Sequence, residues 1–208
     1  MILPPDWTGG RLGAGGGSIE PPGPLVLKCG GSLLSRPGWP PHLRRLHRAL
    51  AAPAPPLLVV GGGAIVDGLR AIDAAGGLDA ALVHGVAIEL MAATARLVAA
   101  ELGLEIVSSA AGGGILDAAG CLAACRIGSL PAGWDVTSDS IAAAVATAAG
   151  RPLLLVKSVP PPATDLAEVS RLGWVDARFP RAAARLPWIG WVCPAADGGG
   201  DQSDGAAD

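Results

Sequence analysis

Only two of the chain's 15 basic residues are lysines, Lys28 and Lys157. Each directly follows a short apolar run, Leu25-Val26-Leu27 for the first and Leu153-Leu154-Leu155-Val156 for the second. Elsewhere the positive charge is arginine, so these two positions select a compact ammonium on a flexible stem over a planar fork. Small residues follow at once: Cys29-Gly30-Gly31-Ser32 after Lys28, and Ser158 after Lys157. A third apolar run ends in Gly61-Gly62-Gly63. Glycine lets the backbone approach an anion closely, and a helix N-terminus aims free N–H groups and a partial positive charge at it. Phosphoryl transfer suits such a set, because the migrating group spreads charge over its oxygens and the protein supplies positioning and electrostatic stabilisation. Two converging ammonium groups repel, and a carboxylate between them would hold them in place. Thr137-Ser138-Asp139-Ser140 offers Asp139 for that task. The same four residues also read as an ordinary helix N-cap.

Other glycine-based sites do not fit. GxxxxGK[ST] is absent, which excludes a P-loop. Gly61–Val66 reads G-x-G-x-x-V and lacks the third glycine of the dinucleotide fingerprint. The four cysteines, Cys29, Cys121, Cys125 and Cys193, show no zinc or redox spacing, and they read as small buried hydrophobes in a reducing compartment. A net charge of −3 argues against nucleic acid as a partner, and Arg44, Arg45 and Arg48 with His42 and His47 read as a solvated helix face.

The elements that must position these residues alternate along the chain. Leu25–Cys29, Leu57–Val60, Leu104–Val107 and Leu153–Val156 read as strands buried on both faces. Between them the spacing predicts helices over Pro41–Ala51, Ala64–Ala75, Asp79–Leu102 and Ser140–Ala149. Ile65, Leu69 and Ile72 share one face of the second of these. Such alternation specifies an α/β domain with a largely parallel sheet, whose ligands bind beyond the carboxyl ends of the strands. Residues 1–24 are Gly/Pro-rich and residues 195–208 rich in Gly, Asp and Ala, so both are expected to be disordered tails around one domain over 25–194. No apolar run approaches the ~20 residues of a membrane span, and Met1–Pro24 lacks the layout of a secretory signal. A cytoplasmic protein with no membrane partner is the expectation.

Four segments together resemble the amino acid kinase superfamily. Leu25-Val-Leu-Lys28-Cys-Gly-Gly-Ser32 resembles its opening strand, and Val59-Val-Gly-Gly-Gly-Ala-Ile-Val-Asp-Gly-Leu-Arg70 its glycine-rich acceptor loop. Trp134-Asp-Val-Thr-Ser-Asp139 is similar to the segment that carries its lysine-organising aspartate. Leu153-Leu-Leu-Val-Lys157-Ser is similar to the strand that delivers its second lysine. The resemblance implies a three-layer αβα sandwich with a mostly parallel central sheet. It implies ATP over the carboxyl edge, with magnesium carried by the nucleotide. Lys28 and Lys157 would stabilise the transferring phosphoryl, and Asp139 would position them. Gly30, Gly31, Ser32 and Ser158 would contact phosphate oxygens, and Gly61, Gly62, Gly63, Arg70 and Ser138 the acceptor. A homo-oligomer, often a dimer, is also implied.

The compact length, with His84, Ala87 and Ile88 on the helix after Arg70, is similar to the aminomethylfuran phosphate kinase branch of methanofuran biosynthesis. Arg70 would reach an acceptor phosphate or pair with Asp67 or Asp73; His84 would line the site or the core edge. Where relatives continue with an Asp-Gly turn and a longer nucleotide lobe, this chain has Val159-Pro-Pro-Pro162 and a shortened segment through Leu172–Phe179 and Trp188–Val192. A ligand-binding homologue that keeps the phosphate cradle without turnover is therefore the competing expectation.

Overall fold

A computed structural model describes residues 2–13, 20–123 and 130–195. Cys125 and the acidic residues from Asp197 onward lie outside them. Seven strands form one sheet: β1 (Trp7–Arg11), β2 (Val26–Cys29), β3 (Leu57–Val60), β4 (Ile106–Val107), β5 (Gly114–Leu116), β6 (Leu153–Val156) and β7 (Ile189–Pro194). Their order across the sheet is β1-β7-β6-β2-β3-β5-β4, parallel throughout except for β1 against β7. The helices are α1 (Trp39–Leu50), α2 (Gly63–Gly76), α3 (Ala80–Leu102), α4 (Ala118–Ala123), α5 (Ser138–Ala149), α6 (Leu166–Arg171) and α7 (Phe179–Ala182).

Side chains alternate across the three central strands and split the core in two. Val26, Leu57, Val59, Leu153 and Leu155 pack with Ile141, Ala142 and Val145 of α5. Leu27, Cys29, Leu58, Val60, Leu154 and Val156 pack on the other side with Leu43 and Leu46 of α1 and Ala95 and Val98 of α3. Burial of these continuous apolar strands on both faces is what drives the three layers together. Period-2 alternation then puts Lys28 on the α5 side, with Val26, and Lys157 on the same side, with Leu155.

Three expectations need correction. Part of the tail over 1–24 is structured: Trp7–Arg11 is an edge strand paired with Ile189–Pro194. Composition hid it because two buried side chains, Trp7 and Leu12, and the bonds of His42 and Arg45 to Asp6 (2.5 and 2.6 Å) anchor an otherwise Gly-rich segment. The arginine–histidine face of α1 thus binds Asp6, just before β1, instead of lying wholly in solvent. Second, Leu104–Val107 is not a strand buried on both faces. Only Ile106 and Val107 are extended, they form the sheet edge, and Ile106 is exposed. The three-residue β5 takes the inner place beside β3. Third, the apolar face of α2 meets no core: none of its residues is buried, and Ile65 and Ile72 are exposed.

Among the described residues α3 is long and apolar enough, by length and composition, to cross a membrane, with mean hydropathy 1.5 in its best window. Glu89 and Arg96 interrupt it, and Met91, Thr94, Ala95, Val98 and Ala99 are buried in the fold.

Candidate active site

At the carboxyl edge of the sheet lies a cleft of about 660 Å³, bordered by Lys28, Gly31, Gly62, Arg70, Asp139 and Lys157 among others. Its floor is a charged triad. Lys28 Nζ lies 2.8 Å from Asp139 Oδ1, and Lys157 Nζ donates to Asp139 Oδ2 at 2.8 Å. Each ammonium thus meets its own oxygen of the one carboxylate. All three side chains are largely buried. Burial opposes ionisation of Asp139, but the charges of Lys28 and Lys157 outweigh it and hold the carboxyl below its ordinary range. Burial, reinforced by repulsion from Lys28 and opposed by Asp139, brings Lys157 down to about 8. Two ammonium groups and one carboxylate give the triad itself a single net positive charge, with the Asp176 carboxylate also acting on Lys157.

Lys157 is gripped from its other side too. It donates to the Trp174 carbonyl at 2.6 Å, and its ammonium lies 4.8 Å from the centre of the Trp174 ring. An ammonium carries three donors, so one remains for a ligand. Asp139 sits in the first turn of α5. Thr137 caps that helix, accepting from the Asp139 N–H at 3.3 Å, so the cap and the lysine-binding carboxylate are different residues of one motif.

The glycines serve two purposes. Gly30 and Gly61 spend their N–H groups on the sheet, donating to the Val156 and Cys29 carbonyls at 2.8 and 2.9 Å. Neither lines the cleft, so a phosphate contact through the Gly30 N–H, expected from the motif, is taken up by the β6 edge instead. Gly31 and Gly63 pack backbone on backbone, where a Cβ on Gly31 would lie 2.1 Å from the Gly63 nitrogen, and Gly63 has φ of +56°. Those two, with Ser32 and Gly62, line the cleft where a 3₁₀ turn (Gly31–Ser35) and α2 begin, and the opening turn of such a helix has N–H groups without intrahelical partners. Ser138 also lines the cleft. Ser158 stands outside it, with its hydroxyl 3.2 Å from that of Ser32 and its carbonyl accepting from Arg36 at 2.8 Å.

Arg70, His84 and Trp134 also border the cleft. Arg70 pairs with neither Asp67 nor Asp73. Its guanidinium lies 4.7 Å over the Trp134 ring, while the Trp134 indole donates to Asp73 at 2.7 Å. Among the described residues Arg70 has no hydrogen bond or ion pair, which leaves its donors to a ligand. His84 accepts at Nδ1 from the Gly133 N–H at 3.4 Å. Trp134, Trp174 and Asp176 all border the cleft and were missed from sequence. The one available signal was tryptophan in a chain with only 3% aromatics.

Among the described residues no group of three or more His, Cys, Asp or Glu is placed to hold a metal ion. The pair of ammonium groups and the glycine-lined rim fit a polyphosphate.

This sheet order and edge-of-sheet cleft define the fold of the amino acid kinases. Uridylate kinase from Archaeoglobus fulgidus superimposes with a TM-score of 0.54 at 16% identity, over 77% of this chain and 84% of that one. UMP kinase from Ureaplasma parvum gives 0.51 at 15% identity, over 77% and 83%. No protein-family model and no curated protein sequence matches the chain.

Proposed function

We propose that this protein is an ATP-dependent phosphotransferase acting on a small anionic acceptor. The observation that carries the reading is the pair of ammonium groups held on one buried carboxylate at the floor of the cleft. ATP supplies the phosphoryl group. Lys28 and Lys157 flank the place where its charge develops, and Asp139 keeps them from separating under mutual repulsion. The N–H groups at the start of the Gly31 turn and of α2 receive oxygens of donor and acceptor on either side.

The acceptor end is short and mixed in character: Val66, Ala87, Ile88 and Met91 offer apolar contact, and Arg70 an unpaired cation. A phosphomonoester or carboxylate with a small body suits it. The motif likeness and the free Arg70 support an aminomethylfuran-methyl phosphate as a particular acceptor, in methanofuran-type one-carbon metabolism in the cytoplasm. The exposed Ile65, Ile72, Leu82 and Leu97 support self-association through α2 and α3, to be checked by light scattering.

Titration with ATP, then coupled ADP release over a panel of phosphomonoesters and carboxylates that includes UMP, tests the reading. Turnover on one of them is expected. A second reading, a ligand-binding homologue, is favoured by the small segment after β6, where α6 and α7 have only six and four residues. ATP binding with no turnover on any acceptor would select it.

A further inference from the structure

Asp176 lies in the Leu172–Phe179 segment, to which the sequence assigned no site residue, and it borders the cleft from the loop between α6 and α7. Its carboxylate accepts from the N–H and hydroxyl of Thr137 at 3.0 and 2.7 Å, and from the Arg178 N–H at 3.0 Å. It also accepts from the Ser140 N–H at 3.0 Å and from the Ser140 hydroxyl. Thr137 and Ser140 bracket Asp139. An aspartate in the first turn of a helix normally competes for the free N–H groups there, drawn by hydrogen bonding and by the helix dipole. Asp176 occupies the Thr137 and Ser140 N–H groups from outside the helix, and the Thr137 hydroxyl oxygen takes the Asp139 N–H. The Asp139 carboxylate is thereby released to face the lysines. Two residues before Asp176, the Trp174 carbonyl and ring hold Lys157, while the Trp174 indole is tied to the Val159 carbonyl at 3.1 Å.

We propose that Asp176 is a positioning residue: by joining Thr137 in capping α5, in place of Asp139, it keeps that carboxylate between Lys28 and Lys157, with Trp174 of the same loop steadying Lys157. The geometry stands by itself, and only the kinetic consequence rests on the phosphotransferase reading.

The chain contains only Lys28 and Lys157, so trace labelling with acetic anhydride followed by peptide mass spectrometry reads the site directly. The charged groups facing Lys157 are Asp139 from α5, Lys28 from β2 and Asp176 from its own loop. Asp176 favours the charged form, so Asp176→Asn is expected to move the labelling profile of Lys157 to lower pH. It is also expected to lower kcat about tenfold or more with little change in KM for ATP, the pattern of a misplaced rather than a missing group. A variant that loses thermal stability but keeps the parent's Lys157 profile and its kcat overturns the proposal and leaves Asp176 a plain helix cap. If the parent turns over no acceptor, the phosphotransferase reading fails and the labelling profile alone decides. Should Asp176→Asn not fold, Ser140→Ala removes one donor to that carboxylate, keeps the charge and leaves the Thr137 cap in place. A smaller shift in the same direction is then expected, and an unchanged profile overturns the proposal.

Discussion

Lys28 is the register partner of Leu155 on the neighbouring strand, so Lys157 stands two residues further along the same face. At ~3.3 Å per residue the two backbone positions are offset by about 7 Å along the strands. That spacing suits two long side chains closing on the opposite oxygens of a single carboxylate, with Lys157 reached from one end and Lys28 from the other. The triad taken by itself keeps one positive charge in excess, which Asp176 beside Lys157 offsets only in part, in a place largely shielded from water. An anion entering the cleft completes it.

Replacing Lys157 by alanine should lower turnover by a factor of about 10²–10³, the cost of removing one preorganised charge from a developing anion. Loss of fold should be limited, because Asp139 keeps Lys28 as a partner. Coupled ADP release and a thermal melt check both halves. Turnover equal to that of the parent would remove Lys157 from the mechanism.

Lys28→Arg should be nearly as inactive. Lys28 is almost fully buried beside Gly30, whose Cβ position lies 3.6 Å from its ammonium. A planar guanidinium with five donors has neither the room nor the acceptors there. Steady-state kinetics decides the matter. Full activity would show that the site tolerates a fork.

Asp139→Asn leaves two buried ammonium groups facing each other without a counter-charge. Breaking a buried pair in this way costs about 3–5 kcal/mol. Inorganic phosphate should restore part of that stability, because it supplies the missing negative charge. Urea unfolding with and without phosphate measures it, and a phosphate effect no larger than the parent's would contradict the picture.

The pH dependence follows from two depressed values. Lys157 must be charged to act, so kcat/KM should fall above about pH 8, with the limb in kcat displaced upward once bound phosphates favour the ammonium. Stability runs the other way. Between about 8 and the ordinary 10.5 the unfolded chain binds the extra proton, so Lys157 makes the ligand-free protein more stable as pH rises through that window. Asp139, lowered below its ordinary 3.8, contributes stability that is present above that value and lost as pH falls through the folded one. Rate profiles and denaturation at matched pH test each sign.

The strands that carry the chemistry were legible because continuous burial leaves a plain apolar run ending at each lysine. Pleat alternation then decides which face Lys28 and Lys157 share. What stayed hidden depends on contacts distant in sequence. Trp7–Arg11 is a strand only because β7 offers it an edge. Asp176 matters only because its loop folds back onto Thr137 and Ser140, some 36–39 residues away. The glycine motif was legible as a loop but not in its division of labour, since the use of the Gly30 N–H by Val156 is a property of the assembled sheet.

At the acceptor end, Arg70→Ala should raise KM for the acceptor about tenfold or more while leaving KM for ATP near its original value. Arg70 and the lysines border the same cleft, but among the described residues Arg70 has no hydrogen bond or ion pair to the triad or the Gly31 turn, and its contact is with the Trp134 ring. Truncating it removes a charge-assisted bond to the acceptor without disturbing the charge that stabilises transfer. Trp134→Leu separates bracing from binding. It keeps the guanidinium but removes the ring beneath it and the bond to Asp73, so a smaller rise in the same KM is expected. If both variants instead lowered kcat at unchanged acceptor KM, Arg70 would be acting on the transferring group, and the acceptor would have to lie elsewhere in the cleft.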